Sequence, residues 1–180
     1  MEILNLSSSQ KELLLDIASQ SIEAAVQGQE PSFSPVEDQA LNRYYGAFVT
    51  IHKQGSLRGC IGNLTGSSPL WKTVSRMAVE AAFHDPRFPA LTAAELGDID
   101  IEISVLSPLE EITDISLIQV GKHGILIKKG PYQGLLLPQV ATEYGWSRKQ
   151  FLEQTCQKAG LAPDCYQAPG CQIFIFSANV

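Results

Sequence analysis

Ile99, Ile101, Ile103 and Val105 alternate with Asp100, Glu102 and Ser104, the cleanest period-two pattern in the chain. Successive side chains of an extended chain face opposite ways, so this segment is a strand with one core face and one polar face. Helices and hairpins are expected on either side of it. Ser9-Gln10-Lys11-Glu12 reads as a capping box, and Leu13, Leu14, Ile17, Ala18, Ile22, Ala25 and Val26 keep helical spacing up to Gly28. Tyr44 to His52 is rich in aromatic and β-branched residues, and Gln54-Gly55-Ser56 turns it back into Leu57 to Ile61 as a hairpin. Pro69 suits a first helical position behind a serine cap, and Leu70, Val74, Met77, Ala78, Ala81 and Ala82 trace one face of a second helix. That helix runs to about His84, because Pro86 pushes Asp85 out of the helical region.

Thr92-Ala93-Ala94-Glu95 is a further capping box, for barely a turn before Gly97. Gly124 to Lys129 and Gly134 to Leu137 flank Gly130-Pro131-Tyr132-Gln133 as a second hairpin. Pro138 opens a short helix through Glu143, and Ser147 with Gln150 caps a last helix that shares Phe151, Leu152, Thr155, Cys156 and Ala159 on one face. Cys156 is therefore expected in the core. Cys171 to Phe176 closes the chain as a strand with apolar residues on both faces.

A chain of 180 residues can bury one generous core, or one domain with a small lobe. Its net charge of -6 and the absence of a Lys/Arg cluster argue against a nucleic-acid partner. No apolar run is long enough to span a bilayer, and the first residues lack a basic start, which points to the cytoplasm rather than a membrane. The cysteines, at 60, 156, 165 and 171, form no C-x-x-C pair, and at this density a disulfide framework is not expected. With three histidines and no paired spacing, the sequence shows no metal centre, and no cofactor motif is present.

Reactive chemistry concentrates in Leu57-Arg58-Gly59-Cys60-Ile61-Gly62. Under strict strand alternation Arg58 and Cys60 share a face, and a guanidinium that near favours the thiolate. Gly59 and Gly62 lack a Cβ, so a ligand or another backbone could approach Cys60 closely. His84, at the end of the second helix, is either a helix cap or a base for Cys60. Asp85 and Arg87 bracket a proline turn, as an internal ion pair or as ligand contacts. Glu102 projects from the polar face of its strand and could orient Arg58 or His84. Gly121-Lys122-His123-Gly124 is read as a turn, since it lacks the long glycine loop of a phosphate cradle.

The strings Leu57-Arg58-Gly59-Cys60-Ile61-Gly62, Asp85-Pro86-Arg87-Phe88, Ile101-Glu102-Ile103-Ser104-Val105-Leu106-Ser107 and Gly134-Leu135-Leu136-Leu137-Pro138-Gln139-Val140-Ala141 occur in order, followed by Gly145-Trp146 and Cys156-Gln157-Lys158-Ala159-Gly160-Leu161. This ordered set resembles the AmmeMemoRadiSam system protein A family, the bacterial and archaeal relatives of the human AMMECR-domain protein. The resemblance implies an α+β fold of largely antiparallel sheet packed by helices. It implies a single AMMECR domain over 1–180, with a larger lobe from the N- and C-terminal parts and a smaller lobe inserted between them. It also implies partnership with a Memo-like protein and a radical SAM enzyme, and supplies no reaction.

Two function classes stay open. In one, Cys60 is a nucleophile in an inter-lobe cleft that takes an unknown small molecule, with Arg58 and His84 as catalytic neighbours and Asp85, Arg87, Glu102, Gly59 and Gly62 as ligand contacts. In the other, the chain is a non-catalytic module that docks onto those partners through Arg58, Arg87, Phe88 and Trp146 on one exposed patch.

Overall fold

The computed structural model describes residues 4–179, which divide into two compact units, Leu4–Leu106 with Asn179 and Ser107–Ala178. The fold is α+β, and within each unit the strands pair antiparallel: Gly46–Lys53 with Ser56–Asn63 and Ile99–Leu106, Gln172–Asn179 with Glu110–Ile112 and His123–Lys129, and His123–Lys129 with Tyr132–Leu136.

In the larger unit, helix α1 (Ser8–Val26) starts at an N-cap two residues earlier than the sequence suggests. Ser7 Oγ accepts the Gln10 N–H and Gln10 Oε1 accepts the Ser7 N–H, so glutamine completes the capping box expected at Ser9 and Glu12. The buried stripe Leu14, Ile17, Ala18, Ser21 and Ile22 follows the helical period. Strands β1 (Gly46–Lys53) and β2 (Ser56–Asn63) form a hairpin whose two turn residues, Gln54 at φ 51° and Gly55 at φ 79°, both lie in the left-handed region. That geometry matches the strand twist and makes a two-residue connection possible.

Helix α2 (Leu70–Phe83) has Pro69 at its N-cap rather than inside its first turn. The Leu70 and Trp71 N–H groups donate to the Arg43 and Leu41 carbonyls at 2.9 and 3.2 Å, so the preceding loop does the work of a side-chain cap. The helix ends at His84, whose N–H reaches the Glu80 carbonyl at 2.8 Å. After a short 3-10 turn, Ala93–Asp98, strand β3 (Ile99–Leu106) pairs with β1, which lies between β2 and β3. Val49 and Ile51 of β1 and Ile103 and Val105 of β3 join the α1 and α2 stripes in one apolar core.

In the second unit, the strands are β4 (Glu110–Ile112), β5 (His123–Lys129), β6 (Tyr132–Leu136) and β7 (Gln172–Asn179, its last residue assigned to the larger unit). β7 pairs with β4 and with β5, and β5 pairs with β6 across a turn at Gly130-Pro131, shorter than the four residues anticipated. Helices α3 (Pro138–Glu143) and α4 (Arg148–Lys158) start where the sequence places them, with proline in the first turn of α3 and a Ser147–Gln150 capping box on α4. Cys156 is in the core, but it pairs with Cys165 as a disulfide, with Cα atoms 6.0 Å apart. The 3-10 turn Cys165–Gln167 returns the chain to α4 and closes the distance, which no cysteine motif announces.

Candidate functional site

The cross-strand register places Cys60 opposite Thr50, and Thr50 opposite Glu102 on its other side, so these three residues form one row across β2, β1 and β3. The Cys60 Sγ and Thr50 Oγ1 are hydrogen-bonded at 3.1 Å, and the thiol is half-buried and outside any disulfide. Ile51 pairs with Gly59 while His52 pairs with Leu57, which leaves Arg58 as an extra residue on β2. This bulge breaks the strict alternation from which Arg58 and Cys60 were expected to share a face, and it re-aims the arginine.

Arg58 is buried, and its guanidinium grips Glu95, with Nε donating to Oε1 at 3.0 Å and Nη2 to Oε2 at 3.2 Å. Two parallel charge-assisted bonds fix the plane of the fork. Glu95 also accepts from Lys53 Nζ at 3.1 Å and from the Thr92 N–H at 2.9 Å. The Arg58 fork first, then the Thr92 N–H, hold its carboxyl well below the usual range despite partial burial. The sequence presented Glu95 only as the second member of a capping box, which it also is.

The turn after α2 supplies the second half of the site. Asp85 is buried, and four N–H groups converge on its carboxylate. Oδ1 accepts from the Arg87 N–H at 3.1 Å and from Arg87 Nε at 3.0 Å. Oδ2 accepts from Arg87 Nη2 at 2.8 Å and from the Cys60 N–H at 3.0 Å. The bond from the Arg87 side chain, ahead of the backbone donors, holds the carboxyl far below the normal carboxylate range. β2 ends the sheet order, so a carboxylate, rather than another strand, takes this outer N–H. Arg87 is half-exposed, and its charged form is favoured first by the Asp85 bond. The Phe88 ring centroid lies 5.9 Å from the Arg58 Cζ and 5.6 Å from the Arg87 Cζ.

The remaining expected residues stand elsewhere. His84 is exposed at the end of α2, and its Nδ1 lies 3.1 Å from Glu80 Oε2, the helix-end role rather than that of a base aimed at Cys60. The space at Gly59 is filled by the Ala81 carbonyl of α2, which an added Cβ would strike, and that at Gly62 by the Phe48 ring and the Ala47 carbonyl. Both glycines therefore admit protein rather than ligand. Glu95 holds Arg58 and Glu80 holds His84, while Glu102 lines a cavity of about 170 Å³ with Leu6, Lys11, Leu14 and Leu15 of the larger unit. Arg58 is too buried to serve as an exposed docking anchor. In the second unit, Trp146 stacks on Tyr144 with centroids 4.9 Å apart. His123 is buried at the start of β5, where its Nδ1 accepts the Gln119 N–H at 3.2 Å. Among the described residues no group of three or more His, Cys, Asp or Glu is placed to hold a metal ion.

Fold and site define an α+β protein whose chemistry gathers on one bulged hairpin and the turn after α2. The sequence pattern of the AMMECR1 family matches residues 15–180, and the chain belongs to that family. It is 41% identical over 187 residues to a protein of Methanothermobacter thermautotrophicus, covering 100% of this chain and 97% of the relative. A protein of Nanoarchaeum equitans is 40% identical over 174 residues, covering 93% and 97%. The crystal structure of an uncharacterised protein from Pyrococcus horikoshii superposes with a TM-score of 0.86 at 38% identity, covering 93% of this chain and 88% of that one.

Proposed function

We propose that this AMMECR1-family chain works with a Memo-like protein and a radical SAM enzyme in the cytoplasm, and that it contributes Cys60 as a nucleophilic thiol. The observation that carries the reading is the joint made by Asp85, which binds the Cys60 N–H and the Arg87 guanidinium with the same carboxylate. The Asp85–Arg87 pair is thereby tied to the Cys60 backbone, with the arginine near enough to interact electrostatically with the half-buried thiol, and a neighbouring cation favours thiolate over thiol. Arg87 replaces Arg58 and His84 as the activating neighbour, while Arg58 and Glu95 stiffen the bulge from which Cys60 projects. In attack on a carbon electrophile the thiol proton goes to solvent, the C–S bond forms from the sulfur lone pair, and the leaving group departs with the bonding electrons.

The test is alkylation by iodoacetamide followed residue by residue with mass spectrometry as pH is raised. Cys171 is an internal reference, because burial pushes its thiol up. Cys60 is expected to react well below pH 8, and Arg87→Gln to move its profile upward. A Cys60 profile centred at or above that of an ordinary thiol, about 8.5, refutes the reading.

A further inference from the structure

Arg58 offers more donors than its partners use. Its Nε and Nη2 are taken by Glu95, but Nη1 is buried with no hydrogen-bond partner among the described residues, and the residue is only 9% exposed. A guanidinium does not shed its proton in a protein, so a buried, unpaired N–H of this kind calls for an acceptor. The local charges point the same way. Arg58, Arg87 and Lys53 carry three positive charges, against two negative charges on Asp85 and Glu95, both held ionised. Asp85 balances Arg87, while Glu95 is shared by Arg58 and Lys53, so the surplus positive charge belongs to the Arg58 group, whose guanidinium, like that of Arg87, lies against Phe88. An apolar ring there keeps water from competing fully for the donors and makes each bond to an anion stronger.

We propose that Arg58 Nη1 and Arg87, beside Phe88, form an oxyanion subsite that takes the carboxylate or phosphate group of the molecule presented to Cys60. This rests on the reading of Cys60 above and adds the class of ligand. Planar guanidinium forks suit both oxyanions, and Arg58 is rigid before binding because Glu95 already fixes its plane. Lys53, also held by Glu95, sets the background field rather than a contact.

The test has two parts with separate readouts. First, the 15N-labelled chain is titrated with sodium acetate and, separately, with sodium phosphate, at constant ionic strength against sodium chloride. Saturable millimolar shifts at the Arg58 Nε–H and the Phe88 amide are expected, and which salt produces them distinguishes a carboxylate from a phosphate site. Arg58→Lys, which keeps the charge and loses the fork, is expected to abolish saturation. Shifts that stay linear, or that match chloride, overturn the proposal; if Arg58→Lys does not fold, this comparison on the unaltered chain decides. Second, Cys60 is alkylated with iodoacetate and with neutral iodoacetamide. The iodoacetate to iodoacetamide rate ratio is expected to exceed that of glutathione by about tenfold, and phosphate or acetate to protect. An ordinary Cys60 rate with saturable anion shifts defeats the nucleophile reading alone. A fast Cys60 with no anion preference and no saturable shift defeats the subsite alone.

Discussion

Replacing Asp85 by Asn removes one charge and turns one acceptor into a donor at the most connected point of the site. The Asn amide can keep two of the four N–H bonds, but its NH₂ then faces the other two donors. Bonds to a charged group contribute about 1.5–3 kcal/mol each, and breaking a buried ion pair costs about 3–5 kcal/mol. Arg87 is half-exposed and regains water, so the lower end applies, about 3 kcal/mol at pH 7. The sign of the pH dependence follows from the depressed carboxyl. Its contribution is complete above the unfolded pKa of about 3.9 and is lost as pH falls towards the folded value. Between about pH 4 and pH 2.5 the unaltered chain should therefore lose stability faster than Asp85→Asn, by a slope that rises towards about 1.4 kcal/mol per pH unit and closes the gap between them by about 1.6 kcal/mol. Other low carboxyls, such as Glu95 and Asp38, are common to both and cancel. The assay is urea unfolding followed by Trp71, which lies in the larger unit, in a Trp146→Phe background that silences the second unit. Parallel stability curves from pH 4 to pH 2.5 would show that Asp85 is not held ionised by these contacts.

Gly59→Ala should cost about 2–3 kcal/mol, because the new Cβ meets the Ala81 carbonyl and backbone rather than a yielding side chain; urea midpoints measure it, and a change under about 0.5 kcal/mol would contradict the packing. Reducing the Cys156–Cys165 bridge, a link across nine residues, should lower stability by up to about 2.5 kcal/mol, read as a thermal midpoint some 5 °C lower with a phosphine reductant. An unchanged midpoint would mean that the purified protein holds the two as thiols. His84→Ala should alter the Cys60 alkylation rate by less than about twofold at every pH, since the ring is exposed and faces Glu80. A large slowing would restore His84 as the base.

Elements that depend on local pattern were legible in the sequence. The alternation from Ile99 to Val105 is strand β3, and the capping boxes at Thr92 and Ser147 hold as written. The first box slipped from Ser9 to Ser7 because Gln10 fits the third helical position as well as Glu12 does, and Gln10 gains a bond to Asp38 besides. What was hidden is tertiary. The Asp85 bond to the Cys60 N–H spans 25 residues, and Glu95 grips Arg58 across 37. Cys60, Asp85 and Arg87 each stood out alone by residue type, but nothing local says that one carboxylate serves both the cysteine backbone and the arginine. Thr50 gave no signal at all, because a threonine in a strand is ordinary until register sets it beside a thiol.

The bulge at Arg58 is what separates the two arginines by task. Without the extra residue, alternation would put Arg58 on the face of Cys60 and leave the thiol with a cation tied to the strand. With it, Arg58 turns into a buried lock with Glu95, and the cation beside the thiol comes from the turn after α2 instead. The price is an end strand with an N–H to satisfy, and Asp85 meets that need while orienting Arg87. One carboxylate thus ties the packing of α2 and its following turn onto β2 to the electrostatics of Cys60. Loosening that turn should disturb the thiol and the stability of the larger unit together, whereas changes at the exposed end of α2 should disturb neither.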